Sequence, residues 1–296
     1  MLLNKRLSIL YFINLIKLDL LLIVLYTTLT AFIRHYAFLQ DIVIPLGVAT
    51  LLGTLISLLL AFKTGQSYER WWEARSVWGE IVNDSRNIIR QLRQFLPGDA
   101  VAQQAIKDFA ERQIIWVHAL GESLRKQPFS AKVNTYLESR QITALHIPNM
   151  LLERHSDQIS RLSDTYQLDP IKQVQLDTTL SRLTDAMGKC ERIKNTVFPR
   201  SYSVLIKFII YVFITIFPFG LTEIGDLAEI LLSITIPLLF ISIERTAIIM
   251  QDPFENRPTD TPVTNIANNI ERNIREVIGE EPAAVKTPEE EDYFIL

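Results

Sequence analysis

Long apolar runs alternate along this chain with strongly charged stretches, and the runs set its architecture. Four stand out, at about 10–33, 42–62, 202–221 and 227–243. Each approaches the roughly 20 residues that an α-helix needs to cross about 30 Å of hydrocarbon. The second is the cleanest, with no charged side chain between Asp41 and Lys63. The first carries Lys17 and Asp19, which in a bilayer must face protein, water or each other. Its length and the lack of a small-residue cleavage site predict a retained helix, although Lys5 and Arg6 resemble the n-region of a leader. The third run is interrupted only by Lys207, and the fourth carries Glu229 near its start. The loops between runs one and two and between three and four are short, whereas the stretch between two and three holds about 20 of the 30 basic residues. Lys63, Arg70 and Arg75 lie near one end of that stretch and Arg192, Lys194 and Arg200 near the other. The positive-inside bias therefore predicts that this middle region and both termini are cytosolic.

The cytosolic part reads as helical. From 66 to 96 apolar residues recur at helical spacing without a proline, so the second span is expected to continue as one helix into the cytosol until Leu96-Pro97-Gly98. A second helix is predicted at about 101–126, closed by Pro128. A third begins near Pro170, with Leu176, Leu180, Leu183, Met187, Cys190, Ile193 and Val197 on one buried stripe. Residues 252–260 form an irregular connector. Thr261 as N-cap and Pro262 as first helical residue then open a helix whose face is Val263, Ile266, Ile270, Ile274, Val277 and Ile278, ended by Gly279. The expected organisation is all-α: 1–62 with two spans, 63–201 cytosolic, 202–250 with two more spans, 251–279 a connector and packing helix, and 280–296 an acidic, mobile tail whose last apolar residues, Tyr293 to Leu296, are free to dock.

Composition narrows the function. The 296 residues have a mean hydropathy of +0.17 and a net charge of −3, with pI near 5.9, which gives no basic footprint for nucleic acid. One cysteine cannot make an internal disulfide, and Cys190 reads as a small buried hydrophobe. The scattered His35, His118, His146 and His155 lack zinc spacing and read as surface or packing residues. No nucleotide-binding glycine motif, catalytic triad or carboxylate pair is visible, so neither an enzyme nor a bound cofactor is expected.

The second span has one small, mildly polar sector: Thr50, Gly53, Thr54, Ser57 and Ala61 cluster at about 100° per residue. Small residues permit close helix packing in membranes, and the same pattern suits a pore lining if several copies surround an axis. The pattern leaves both readings open.

Three separated motifs then carry a resemblance. Ser67-Tyr68-Glu69-Arg70-Trp71-Trp72-Glu73-Ala74-Arg75, followed by Trp78-Gly79, lies after the second span. Cys190-Glu191-Arg192-Ile193-Lys194-Asn195-Thr196-Val197-Phe198-Pro199 precedes the third, and Asp252-Pro253-Phe254 with Asp260 and Pro262 follows the fourth. In this order, and with this span pattern, the chain resembles the bestrophin family. Val197 replaces a usual Pro and Glu255 a usual Gly. The resemblance implies a homopentameric, largely helical ion channel with one axial pore, a narrow neck and a cytosolic aperture. Counted back from Arg70, the family's neck positions fall at Thr54, Leu58 and Phe62. Hydrophobic rings at Leu58 and Phe62 can gate by dewetting, while Thr54 stands where an apolar residue is more usual and implies a wetter outer neck. The aperture position falls at Ile171, after Asp169-Pro170, where a first-turn packing role is the alternative.

Calcium dependence is not expected. Asp252, Glu255 and Asp260 are the only weak metal candidates, and a hard cation wants about six or more oxygens. Trp71 and Trp72 are expected to pack at the helix's cytosolic end or between subunits. The partners implied are other copies of the chain, lipid and small monovalent ions, with anions favoured by the resemblance. The membrane implied is a bacterial inner membrane or an organellar one. A cation-selective channel of the same fold and a membrane-anchored scaffold with a closed pore are the alternatives.

Overall fold

The computed structural model describes residues 9–36, 44–196, 198–221 and 226–281. Among them every regular element is helical: α1 (Ile9–Tyr36), α2 (Leu46–Phe95), α3 (Ala100–Leu124), α4 (Ala131–Ser139), α5 (Ile147–Tyr166), α6 (Pro170–Asn195), α7 (Arg200–Ile216), a 3-10 turn at Phe217–Gly220, α8 (Asp226–Gln251) and α9 (Val263–Ile278). Three helical stretches, within Leu46–Phe95, within Pro170–Gly220 and at Leu227–Gln251, are long and apolar enough to cross a membrane. The two loops between paired spans, Val197 and the chain beyond 281 lie largely or wholly outside the described residues, and with them the expectations for the tail.

The chain divides into two compact units. One, within 9–70 and 198–251, contains α1, the first half of α2, α7 and α8. Ile23, Ile56, Leu60, Ile206, Ile210 and Phe213 form its core. Phe213 stacks on Phe217 with centroids 4.8 Å apart and meets Phe240 edge-on at 5.5 Å. The hydroxyl of Tyr202 donates to the carbonyl of Leu59 at 3.1 Å, tying α7 to α2.

The other unit, within 71–196 and 252–281, contains the rest of α2 with α3 to α6 and α9. Trp78, Trp116, Phe109 and Phe254 are fully buried in its core. Asp99 caps α3 by accepting from the amide of Ala102 at 2.7 Å, and Asp169 caps α6 by accepting from that of Ile171 at 2.8 Å. At Gly121 a Cβ would lie 3.6 Å from that of Val263 and 3.7 Å from the Trp78 ring, so the small residue lets α9 lie close against α3.

α2 is a single 50-residue helix, ended at Leu96-Pro97. The stripe of α6 is buried from Leu176 through Ile193, Cys190 included. Burial pushes the Cys190 thiol well above its ordinary value. Two expectations need correction. α9 begins at Val263 with Pro262 in the cap position, and no side chain caps it, because the Thr261 hydroxyl is turned into the interior. Val277 is exposed, since the buried stripe of α9 runs through Val263, Ile266, Ala267, Ile270 and Ile274. The irregular connector is partly buried, with Phe254 and Asp260 inside.

Candidate functional site

The first half of α2 has two sharply different sides. Ala49, Ile56, Leu60, Lys63 and Ser67 are buried against its own unit. Thr50, Leu51, Thr54, Leu55, Ser57, Leu58, Ala61 and Phe62 are exposed. Leu58 is 56% and Phe62 63% exposed, large values for apolar side chains that nothing among the described residues covers. Thr54, Leu58 and Phe62 drift by about 40° per step around the helix and so form one band along it. Gly53 departs from the pore-face set, because its Cβ direction meets the rings of Phe213 and Phe240 at 3.7 and 3.9 Å. It packs inward and lets those rings approach.

The hydroxyls on this face bond to their own helix. Thr50 donates to the Leu46 carbonyl at 3.0 Å, Thr54 to that of Thr50 at 2.9 Å and Ser57 to that of Gly53 at 2.8 Å. Their protons are thereby engaged, and each presents lone pairs outward. Beside the band, an apolar groove of about 530 Å³ runs past Ser57, Ala61, Gly65, Phe240 and Ile243.

Two ion pairs brace the same unit. Lys63 meets Glu244 at 3.1 Å, with side chains 0% and 2% exposed. Arg245 Nε meets Asp19 at 2.5 Å, and its NH2 group donates to the same carboxylate at 3.0 Å. Asp19 thus finds protein, as its place in an apolar run requires, while Lys17 is exposed. Sequence reasoning missed both pairs. Their signal was that Lys63 directly follows one apolar run and Glu244-Arg245 another.

In the other unit, Ile171 lies in the first turn of α6 and is 73% exposed, with Val174 beside it at 63%. Among the described residues little packs against it. Asp252, Glu255 and Asp260 do not converge. The Asp252 carboxylate accepts from Lys194 Nζ at 2.6 Å and from the Phe254 amide at 3.1 Å. That of Asp260 accepts from the amides of Glu255 at 2.7 Å and Arg257 at 3.0 Å, while Glu255 pairs with Arg257. Burial raises the Asp260 carboxyl above its ordinary value, against those two amides. No group of three metal-ligating side chains occurs among the described residues.

The three motifs meet through their charged and aromatic members. Trp71 Nε1 donates to the Thr259 carbonyl at 2.9 Å, Arg192 reaches Glu73 at 2.5 Å, and Lys194 joins Asp252. Segments far apart in sequence are thereby stitched around the connector. Trp72 is 55% exposed. Elsewhere in this unit Glu271, on α9, receives His118 Nε2 at 3.0 Å, Arg275 Nε at 3.0 Å and Lys132. Although burial alone would raise its carboxyl, the three donors hold it well below its ordinary value. A cleft of about 1040 Å³ brings Arg86, Arg90, Arg93 and Lys107 around Glu276, the one carboxylate in its lining among the described residues.

The family model described as Bacterial/Fungal Bestrophin protein matches residues 7–276. The chain belongs to the bestrophin family. Among its relatives, the voltage-dependent anion channel-forming protein RSc3414 of Ralstonia nicotianae is 30% identical over 236 residues, covering 78% of this chain and 76% of that one. The voltage-dependent anion channel-forming protein YneE of Escherichia coli K12 is 30% identical over 226 residues, covering 75% and 73%. A solved bacterial bestrophin homologue from Klebsiella pneumoniae superposes with a TM-score of 0.82 at 28% identity, covering 90% of this chain and all of that one. The two named relatives are channel-forming proteins rather than enzymes, and the chain is an integral membrane protein with the all-helical fold of the Klebsiella homologue.

Proposed function

We propose that the chain is a homopentameric channel that passes small monovalent anions through a neck lined by α2. The observation that carries this reading is the band of Thr54, Leu58 and Phe62. It lies on a helix of membrane-spanning length whose opposite side is already buried, so large apolar side chains are left for an axis shared between copies. Each subunit contributes four spans, α1, the first half of α2, α7 and α8. Both termini and the unit built around α3 to α6 face the cytosol, and the membrane is a bacterial inner membrane. Leu58 and Phe62 form dewetting rings, Thr54 a wetter outer one, and Ile171 a second constriction. The channel names of the relatives supply the preference for anions.

The same band favours one rival. Hydroxyls that donate into their own helix offer lone pairs to the path, which suits a cation better than an anion. Reversal potential decides between the two. Purified protein in a planar bilayer under an asymmetric potassium chloride gradient is expected to reverse near the chloride potential. Reversal near the potassium potential would establish the cation channel. Silence from both this protein and Phe62→Ala would leave a membrane-anchored scaffold.

A further inference from the structure

The Lys63–Glu244 pair lies immediately beside the proposed neck. Lys63 follows Phe62 directly, so its side chain leaves α2 about 100° around the axis from the Phe62 ring. One of the two is fully buried and the other 63% exposed. The partner, Glu244, is followed on α8 by Arg245, which holds Asp19 of α1. Consecutive residues of α8 thus grip α2 and α1.

A buried ion pair adds little net stability compared with an apolar pair of the same shape, because both charges must be stripped of water. Its best attested use is to fix register. Here the geometry suits that use. The contact is a point-to-point one at 3.1 Å. Turning α2 in either direction would separate the charges and leave Lys63 without its partner carboxylate, which is strongly unfavourable. The close packing around Ile56, Leu60 and Gly53 limits rotation on the same side of α2, and the ion pair adds a directional point contact to it.

We propose that Lys63 and Glu244 are positioning residues of the channel: their pair fixes the rotation of α2 about its own axis, so that Phe62, Leu58 and Thr54 face the conduction path and Leu59 faces the core. This proposal rests on α2 lining the path.

The test uses full-length protein in liposomes, with single cysteine reporters at Phe62→Cys or Leu59→Cys. The native Cys190 is fully buried and does not compete. Ion flux is followed while a charged, membrane-impermeant thiol reagent is added. With the pair intact, the Phe62 reporter should react quickly and the Leu59 reporter slowly. In the neutral double variant Lys63→Met, Glu244→Leu, which leaves no uncompensated charge, the ratio of the two rates should fall by about tenfold, or about 1.4 kcal/mol in the preference between the faces. The swapped pair Lys63→Glu, Glu244→Lys should restore the ratio. Unchanged rates in the neutral variant at native oligomer size overturn the positioning role alone. A Phe62 reporter that fails to react even with the pair intact overturns the pore-lining reading, and the proposal with it. Should the neutral variant not assemble, the swapped pair decides, because an assembled swap with an altered ratio also overturns the proposal.

Discussion

Replacing Glu271 by Gln removes the hub that joins α9 to α3 and to Lys132 just after the start of α4. The Glu271 carboxylate, with a side chain 9% exposed, accepts from His118, Lys132 and Arg275. Hydrogen bonds to charged groups contribute about 1.5–3 kcal/mol each. The Lys132 contact is discounted because that side chain is 38% exposed and screened by water. Arg275 keeps a second acceptor in Glu280 at 2.8 Å, and Gln can still accept one bond. The expected net loss is about 2–3 kcal/mol, or about 5–10 °C in the melting temperature of a unit of this size. The assay is thermal unfolding of detergent-solubilised protein followed by intrinsic tryptophan fluorescence. The pH dependence is the sharper check. Since the folded carboxyl titrates below its ordinary value of 4.5, its contribution is complete above that value and is lost as pH falls through the acid range. The gap between wild type and Glu271→Gln should hold from neutral pH to about pH 5 and close below it. A gap under about 1 °C at neutral pH, or one that persists unchanged well into acid, would refute the account.

Three further outcomes are expected. Phe62→Ala and Leu58→Ala should each raise ion flux from liposomes by widening the neck, and unchanged flux in both would reject the assigned register. Phe254→Ala empties a fully buried site in the connector and should lower stability by about 3–5 kcal/mol, measured as a loss of assembled protein on heating. His155 is fully buried, accepts from Arg112 Nε at 3.2 Å and lies with its ring centroid 3.9 Å from that of Phe109, and burial followed by the Arg112 charge holds its pKa well below 6.5. Its contribution is therefore present above pH 6.5 and lost below it, at up to about 1.4 kcal/mol per pH unit. His155→Phe should flatten the fall in melting temperature between pH 7 and 5.5, and an equal slope in both proteins would contradict the argument.

Helices with a continuous apolar stripe were legible in the sequence. The stripe of α6 and the unbroken α2 are set by local spacing, and so is the small, exposed sector that includes Thr54. α4 and α5 were not read from the sequence. The apolar face of α5, Ile147, Leu151, Ile159 and Leu162, is interrupted by His155, a polar residue at a core position, and its start depends on His146 capping the amide of Asn149 at 3.1 Å. Gly53 was misplaced because helical angle alone cannot say which edge of a small sector a neighbour's rings occupy. The braces were illegible for another reason. Lys63 and Glu244 lie 181 positions apart, and Asp19 and Arg245 226 apart, so only the fold brings either pair together. The weak metal reading of Asp252, Glu255 and Asp260 likewise turned on where each carboxylate points, which spacing does not encode.

Among the described residues, the cleft of Arg86, Arg90, Arg93 and Lys107 carries more positive charge than Glu276 balances. It therefore gathers a cloud of counter-ions, about 10 Å thick at 0.1 M salt and thinner as salt rises. At low salt anions are therefore favoured within this cleft over the bulk, and at high salt the difference fades. The anion concentration at this surface is thus partly set by the protein itself.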